Sequence, residues 1–288
     1  MKTTGIFETH TFPVKFASQT KPVHLIFFGD VHWGHPMFSM DTWKRFVKTY
    51  KDRDDCVFLG MGDYQDVMSS SERRAMAQAS SQLHEGSVEL IDTLMTERMD
   101  QFTEQIRWMG DRLIGLVEGN HYYQFIDSET STQKMARELK AKYLGVTAVV
   151  RLNLAVSGCL MNCDIFAHHG RAGGQLAGSP FNTVEKMQFG MDADIYAMGH
   201  DHSIGCLPKA RMIPQFNKAS GELEIHERRT LLIRSGSFLR GYAKGKASYI
   251  ADSGLNPKPL GWVDVEMQLR RDRDGESRSM ALELRGAA

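Results

Sequence analysis

Short apolar runs recur along the first two thirds of the chain, and each of them leads into a polar turn. Val23–Phe28 contains five apolar residues and one histidine, and Cys56–Leu59 is apolar throughout. Arg112–Val117, Asp164–Ala167 and Ala193–Met198 show a similar pattern. Because short apolar runs next to turn residues are typical of buried strands, we predict a strand at each of these positions.

Segments with helical spacing of apolar residues separate these predicted strands. Asp41 is the predicted N-cap of a helix that runs to Tyr50. Ser71–Trp108 contains no proline, and its Leu, Met and Ile residues recur at helical spacing. We therefore predict one short and one long helix there. Ser131–Lys140 is a further predicted helix, and Ser179 opens another with a proline in its first turn.

Strand patterns dominate the last part of the chain. Ser157-Gly158 indicates a hairpin turn between two strands. Further strands are predicted near Glu222–His226, Thr230–Arg234 and Trp262–Leu269. The charged tail after Arg270 is predicted to be frayed. Strands that alternate with helices in the first half, followed mainly by strands, indicate an α/β sandwich built on two sheets.

Composition narrows the class of protein without choosing a function. Of 288 residues, 42% are hydrophobic, so the chain can form a core of normal size. Lys and Arg together number 35, as do Asp and Glu, so any basic surface for nucleic acid must be local. The four cysteines form no C-x-x-C pair, and no apolar stretch suits a signal peptide or a membrane span. We expect a cytoplasmic protein with reduced thiols and no membrane partner.

Five short polar motifs follow the apolar runs in a fixed order. They are Gly29–His32, Gly62–Asp66, Gly119–His121, His168–Gly170 and Gly199–His202. Asp30 and His32 are two residues apart, as are His200 and His202, so each pair projects from one side of an extended chain. Together the motifs offer about eight oxygen and nitrogen donors, enough for two divalent ions that share one ligand.

The ordered set of motifs resembles the calcineurin-like metallophosphoesterase superfamily. The resemblance covers Val23 to about Phe238, and Ile233–Ser237 looks like the strand and Gly-Ser turn that close this fold. It implies a four-layer αββα sandwich of two mixed β-sheets flanked by helices. We expect one domain over residues 1–288, with a helical insertion at about 68–110 and a basic, glycine-rich loop at 237–261.

The resemblance also implies a role for each motif residue. Seven side chains would hold two metal ions: Asp30, His32 and His202 the first, Asp63 both, and Asn120, His169 and His200 the second. His121 would contact the phosphate and protonate the leaving oxygen, and Asp66 would orient His121. Ligands without thiolate favour Mn²⁺, with Fe, Zn and Ni also compatible.

Several residue assignments stay open at this point. His168 competes with His169 for one ligand position, and the glycine after His169 favours His169. Arg171, in a glycine-rich stretch, and Arg240, in the late basic loop, are candidate substrate contacts. That loop alternates cations with Tyr242 and could follow a nucleic-acid backbone.

The helical insertion between Asp63 and Asn120 has two interpretations. It either packs on the sandwich or makes a dimer contact, or it forms a cap that shapes the substrate cleft. Arg73 and Arg74 are possible phosphate contacts in the second interpretation, but ordinary surface roles are favoured for both.

The expected function is a binuclear metal-dependent phosphoesterase, with phosphodiesters favoured as substrates. A hydroxide activated by the metals would attack phosphorus in line. The expected substrate is a phosphate ester, and nucleotides and nucleic acids are both candidates. The alternatives are a DNA exonuclease or endonuclease of the recombination-repair type, a phosphomonoesterase or protein phosphatase, and a metal-binding scaffold. Val67 disfavours the protein phosphatases, which carry Arg-Gly there. The oligomeric state is left open.

Overall fold

Two six-stranded β-sheets packed face to face form the centre of the molecule. The computed structural model describes residues 9–18, 20–80, 84–156, 159–171, 174–176, 178–217, 220–246, 248–274 and 277–288. The first sheet contains, in spatial order, β12 (Ser277–Ala287), β11 (Val263–Asp274), β2 (Val23–Phe28), β3 (Cys56–Gly60), β4 (Leu113–Leu116) and β5 (Lys142–Tyr143). The second contains β1 (Thr9–Lys15), β6 (Thr147–Val156), β7 (Cys159–His168), β8 (Ile195–Met198), β10 (Glu222–Ser235) and β9 (Ile204–Asn217).

The inner strands are apolar throughout because both of their faces are buried. In β2, Leu25 and Phe27 point into the core between the two sheets. Ile26 and Phe28 point to the opposite side, against the helices, and all four side chains are fully buried. Such two-sided burial removes the alternation of polar and apolar residues that a half-exposed strand shows.

Helices cover the outer face of each sheet. α1 (Met40–Tyr50), α3 (Glu85–Ile106) and α4 (Ser131–Glu138) pack on the first sheet, and α5 (Ser179–Glu185) packs on the second. The predicted four-layer sandwich of two mixed sheets flanked by helices is therefore confirmed. Among the described residues, no helix combines the length and the apolar character needed to cross a lipid bilayer.

The predicted short and long helices between the second and third apolar runs are confirmed as α2 (Ser70–Ser80) and α3. The predicted cap of α1 is wrong by two residues. Ser39 is the N-cap, and its hydroxyl oxygen accepts a hydrogen bond from the backbone N–H of Thr42 at 3.5 Å. Asp41 instead lies in the first turn, where its negative charge suits the helix dipole.

The last part of the chain is more regular than its sequence predicts. The two strands expected near Glu222–His226 and Thr230–Arg234 are parts of one strand, β10, which pairs along its whole length with the unpredicted β9. The tail is paired rather than frayed, because β11 continues past Arg270 and β12 pairs with it. Pairing supplies backbone hydrogen bonds to polar segments that show no apolar pattern of their own. The turn expected at Ser157-Gly158 lies outside the described residues.

Parallel pairing brings the carboxyl ends of several strands to one edge of the sandwich. β2, β3 and β4 are mutually parallel in the first sheet, and β7, β8 and β10 are parallel in the second. The polar motifs follow these carboxyl ends, so the topology gathers them at one place, as in other open α/β sheets.

Candidate metal centre

Turns at the carboxyl ends of five strands bring nine polar side chains together. They are Asp30 and His32 after β2, Asp63 and Asp66 after β3, Asn120 and His121 after β4, His169 after β7, and His200 and His202 after β8. These residues form or adjoin a cleft of about 650 Å³. All nine belong to the polar motifs that follow the apolar runs of the sequence.

Asp30, His32 and His202 form the first group of possible ligands, with one donor atom from each lying within 4.8 Å of the other two. The Nε2 atom of His202 is 3.9 Å from Oδ1 of Asp30, whose side chain is fully buried. Neither Oδ1 of Asp30 nor either ring nitrogen of His32 has a hydrogen-bond partner among the described residues. Buried polar atoms are normally satisfied, so Oδ1 of Asp30 and one ring nitrogen of His32 fit a bound cation.

Asp63, His169 and His200 form the second group, and Asn120 lies among them. The Nδ1 atom of His169 lies 2.7 Å from the carbonyl oxygen of Met61, which places one proton on Nδ1 and leaves Nε2 as the nitrogen that can bind a metal ion. That Nε2 atom is 3.0 Å from Oδ1 of Asn120, and Nδ1 of His200 is 2.6 Å from the same oxygen. Four donors thus converge on one point, as a second cation would require.

Asp63 lies between the two groups. Its Oδ2 atom is 3.3 Å from Nε2 of His169 and 3.9 Å from Nε2 of His32. Its Oδ1 atom accepts a hydrogen bond of 2.7 Å from the backbone N–H of His121. One carboxylate oxygen therefore faces both groups, which is the position that a bridging ligand needs.

The backbone at the candidate ligands adopts an unusual conformation. Five of them have positive φ angles: 46° at Asp30, 49° at His32, 50° at Asp63, 73° at His200 and 58° at His202. The left-handed region is unfavourable for residues with a Cβ atom and is concentrated at functional sites. The fold thus holds these side chains in strained turns that aim them at one point.

Two glycines in the motifs are required by close approach. A Cβ atom on Gly62 would lie 2.4 Å from Nδ1 of His169, and one on Gly119 would lie 2.0 Å from Oδ1 of Asp63. Gly62 also has a φ of 100°. A side chain at either position would push a candidate ligand out of place.

Burial and neighbouring charges shift the pKa values of the buried donors in opposite directions. Burial raises the pKa of Asp30 to about 7. Burial also acts to raise the pKa of Asp63, but the adjacent His169 outweighs it and holds that pKa below its usual range. In His169 burial opposes the charged ring, but the Asp63 carboxylate raises its pKa to about 9. The cluster therefore favours positive charge at its centre.

Asp66 faces two histidines at once. Its Oδ1 atom is 3.7 Å from Nδ1 of His121 and also 3.7 Å from Nδ1 of His32. These distances allow electrostatic attraction, although they are too long for direct hydrogen bonds. Burial lowers the pKa of His121, which lines the cleft. The structure thus places Asp66 beside His121, as expected, and beside His32, which the sequence analysis did not anticipate.

Part of the late loop forms a wall of the same cleft that the turns with the candidate ligands line. Leu239, Ile250 and Leu255 give this wall an apolar surface, and Asn256 and Lys258 add polar groups. Ile250 belongs to a short helix, α6 (Tyr249–Asp252). The cleft therefore combines a polar floor with a wall of both apolar and polar side chains.

The remaining predicted site residues have different surroundings. His168 lies outside both groups, and its Nδ1 atom accepts a 2.6 Å hydrogen bond from the backbone N–H of Gly170. Arg171 is exposed and is absent from the described residues that line the cleft. Arg240 does line the cleft, but its guanidinium lies 3.2 Å from Oγ of Ser39 and 3.3 Å from Oδ2 of Asp41.

Arg73 makes contacts that the sequence does not reveal. Its Nη1 atom donates to the carbonyl oxygens of Met68 at 2.8 Å, Asn120 at 2.7 Å and Tyr122 at 3.1 Å. The guanidinium also lies 3.7 Å from the centre of the Tyr122 ring. Arg73 thus ties α2 to the backbone on both sides of His121.

Asp201, which lies between His200 and His202 in sequence, forms a buried ion pair with Arg234. Arg234 is fully buried, and its Nε atom donates to Oδ1 of Asp201 at 3.0 Å. Lys258 approaches the other carboxylate oxygen at 3.9 Å and donates to Oγ of Ser203 at 2.7 Å. Burial lowers the pKa of the Lys258 ammonium, although Asp201 acts to raise it. No sequence signal predicts this cluster, because Asp201 occupies the variable position of its motif.

Comparison with known proteins finds only distant similarity. No protein-family model matches the sequence, and no curated protein sequence matches it. The chain is 13% identical to Vps29 of Chaetomium thermophilum, with a TM-score of 0.35, over 93% of this chain and 97% of that one. It is 10% identical to the NAD nucleotidase NadN of Haemophilus influenzae, with a TM-score of 0.39, over 91% and 49%.

A third similar structure is the calcineurin-like phosphoesterase YfkN of Bacillus subtilis. It is 10% identical, with a TM-score of 0.31, over 91% of both chains. None of these distant similarities assigns a function to this chain.

Proposed function

We propose that this chain is a phosphoesterase that uses two divalent metal ions. The observation that carries the proposal is the convergence of two groups of buried donors on the Asp63 carboxylate. The unpartnered atoms of Asp30 and His32 support it, because a divalent ion would satisfy them. Oxygen and imidazole donors without thiolate suit Mn²⁺, and Fe, Zn and Ni are also compatible.

The ligands divide between the two ions by their positions. Asp30, His32 and His202 would hold the first ion, and Asn120, His169 and His200 the second. Asp63 would contact both. Two bound divalent ions would supply positive charge at the phosphoryl oxygens and activate water for attack.

His121 would supply the proton to the leaving oxygen. It lines the cleft, and burial lowers its pKa, so the protonated ring releases its proton readily to a basic oxygen. Asp66 would orient the ring through the attraction of its carboxylate to Nδ1. Residues from two different strand ends thus act together on the leaving group.

We favour small phosphodiesters over nucleic acid as substrates. The cleft volume of about 650 Å³ suits a small molecule. Two cations of the late basic loop are held against neighbouring segments, because the Arg240 guanidinium contacts Asp41 and Lys246 donates to the carbonyl oxygen of Pro36. Tyr242 likewise donates its hydroxyl to the carbonyl oxygen of Leu255. The loop therefore serves as a wall of the cleft rather than as a track for a polynucleotide.

The test is hydrolysis by metal-stripped protein that has been reloaded with Mn²⁺. Bis(4-nitrophenyl) phosphate, 4-nitrophenyl phosphate and linear DNA are compared as substrates. We expect diester cleavage, with His121→Ala lowering kcat by about 10²- to 10⁴-fold because the proton donor is lost. Asp63→Asn should remove both activity and metal binding.

The matched control is His226→Ala. His226 is an exposed histidine on β10, and among the described residues its ring contacts Glu224. It should keep wild-type activity. Degradation of DNA without cleavage of the small diester would overturn the preference for small substrates. Absence of turnover on all three substrates, despite two bound metals per chain, would overturn the enzymatic function and favour a metal-binding scaffold.

A further inference from the structure

Lys258 brings a positive charge into the cleft beside the candidate metal centre. It lies in the late loop, is partly buried, and lines the cleft together with His202. Its Nζ atom donates to Oγ of Ser203, the residue that follows His202, at 2.7 Å. The ammonium is therefore held next to the turn that carries two candidate metal ligands.

The carboxylate nearest to Lys258 is already neutralised by another cation. Asp201 is buried beneath the turn, and its Oδ1 atom accepts a 3.0 Å hydrogen bond from Nε of Arg234. The Arg234 side chain is fully buried, and a guanidinium stays charged at any physiological pH. Asp201 and Arg234 thus form a neutral pair, and Lys258, 3.9 Å from the outer oxygen, adds an excess positive charge.

The other charged groups around the cleft do not compensate Lys258. Asp30 and Asp63 face the positions proposed for metal ions, and Asp66 lies between two histidines. Arg240, the other cation of this wall, is engaged with Asp41. A partly desolvated ammonium with excess charge is stabilised by an anion that enters the cleft.

We propose that Lys258 forms an anion subsite that binds a second phosphate of the substrate, adjacent to the phosphate that is cleaved. This inference rests on the proposed phosphoesterase function. An ammonium is a compact charge that binds phosphate well, and the Asn256 amide on the same wall can donate a further hydrogen bond. The organic group of the substrate would lie against Leu239, Ile250 and Leu255. The substrate class is therefore a diphosphate ester with an apolar or planar group.

Competitive inhibition of Mn²⁺-loaded protein tests this subsite. Methylenediphosphonate, phosphonoacetate and methylphosphonate are compared as inhibitors of bis(4-nitrophenyl) phosphate hydrolysis. We expect the diphosphonate to inhibit at a concentration at least about 10-fold lower than methylphosphonate, as one charge-assisted hydrogen bond allows. Lys258→Met should reduce that difference to about twofold, and Lys258→Arg should preserve it.

The matched control is Lys244→Met, which removes an exposed cation of the same loop that does not line the cleft. It should leave the preference for the diphosphonate unchanged. An unchanged preference in Lys258→Met would overturn the subsite, and stronger inhibition by phosphonoacetate would overturn its assignment to phosphate. Hydrolysis of the diester by the wild-type protein reports separately on the proposed function. If hydrolysis is absent, calorimetric titration of the same inhibitors still tests the subsite.

Discussion

At the scale of single residues, the candidate centre depends on unusual φ angles and on glycines that leave no room for a Cβ atom. Five candidate ligands have left-handed φ angles, and each such residue costs about 1–3 kcal/mol and persists only because its surroundings enforce it. The glycines beside them make room for the ligands. At Gly62 the space that a Cβ atom would fill is occupied by the ring of His169. The motif glycines are thus as necessary to the geometry as the ligands are.

A pair of glycine substitutions tests this dependence. Gly62→Ala should lower the free energy of unfolding by about 1–3 kcal/mol and weaken metal binding, because the new methyl group displaces His169. Gly86→Ala is the matched control, since Gly86 lies in α3 with open space around it. It should raise the free energy of unfolding by about 0.5–1 kcal/mol. Chemical denaturation and metal analysis measure both effects, and equal stability of the two variants would contradict the argument.

At the scale of elements, α2 acts on the site through one side chain. Arg73 connects the helix to the carbonyl oxygens of Asn120 and Tyr122, which flank His121, and to that of Met68, close to Asp66. The helical insertion therefore supports the relative position of His121 and Asp66. Neither of the two earlier interpretations of this insertion, simple packing or direct phosphate contact by Arg73, describes such a role.

Substitution of Arg73 should affect catalysis more than folding. We expect Arg73→Ala to lower kcat by about 10- to 100-fold with little change in KM, because His121 loses its position, and Arg73→Lys to restore only part of the rate. Arg74→Ala is the control, since the Arg74 guanidinium contacts only the Ser70 carbonyl of its own helix among the described contacts. Steady-state kinetics measure kcat and KM, and melting temperatures measure the effect of each substitution on folding. Equal kcat in Arg73→Ala and Arg74→Ala would exclude a positioning role.

At the scale of the whole molecule, the centre joins the two sheets. The first sheet carries, after its strands, Asp30, His32, Asp63, Asn120 and His121. The second sheet carries, after its strands, His169, His200 and His202. A metal ion held by both sets would link the layers at their common edge. Because binding free energy adds to folding free energy, metal loading should stabilise the entire fold.

The stabilisation by metal should increase with pH. The pKa of Asp30, about 7, means that the ion-free protein loses stability as pH rises from 3.8 towards 7. The pKa of His169 is raised to about 9, so the protonated ring stabilises the folded state. This stabilisation is complete below pH 6.5 and is lost as pH rises through 9. Protons on both groups compete with metal. Asp63, with a lowered pKa, is ionised throughout this range.

Thermal unfolding with and without Mn²⁺ at pH 6, 7 and 8 measures this effect. At a free Mn²⁺ concentration of 100 times Kd, the gain is about 2.7 kcal/mol at each bound site. At constant Mn²⁺ concentration, the rise in Tm should be smallest at pH 6 and largest at pH 8. Asp30→Asn should reduce the rise at every pH. A rise in Tm that is equal at the three pH values would contradict the proton competition.

Local sequence patterns predict those parts of this protein that depend on neighbours along the chain. Apolar runs buried on both faces identify the inner strands, and polar motifs at their ends identify every candidate ligand, because a strand and the turn after it are contiguous. The tertiary structure decided the pairing of β9 with β10 and of β11 with β12, since polar strands are stabilised mainly by their partners. Only the tertiary structure brings Arg73 to Asn120, which is 47 residues away in sequence, and Lys258 to Asp201, which is 57 residues away (258 − 201). Such contacts depend on how distant segments meet in space, and no local pattern of residues records that.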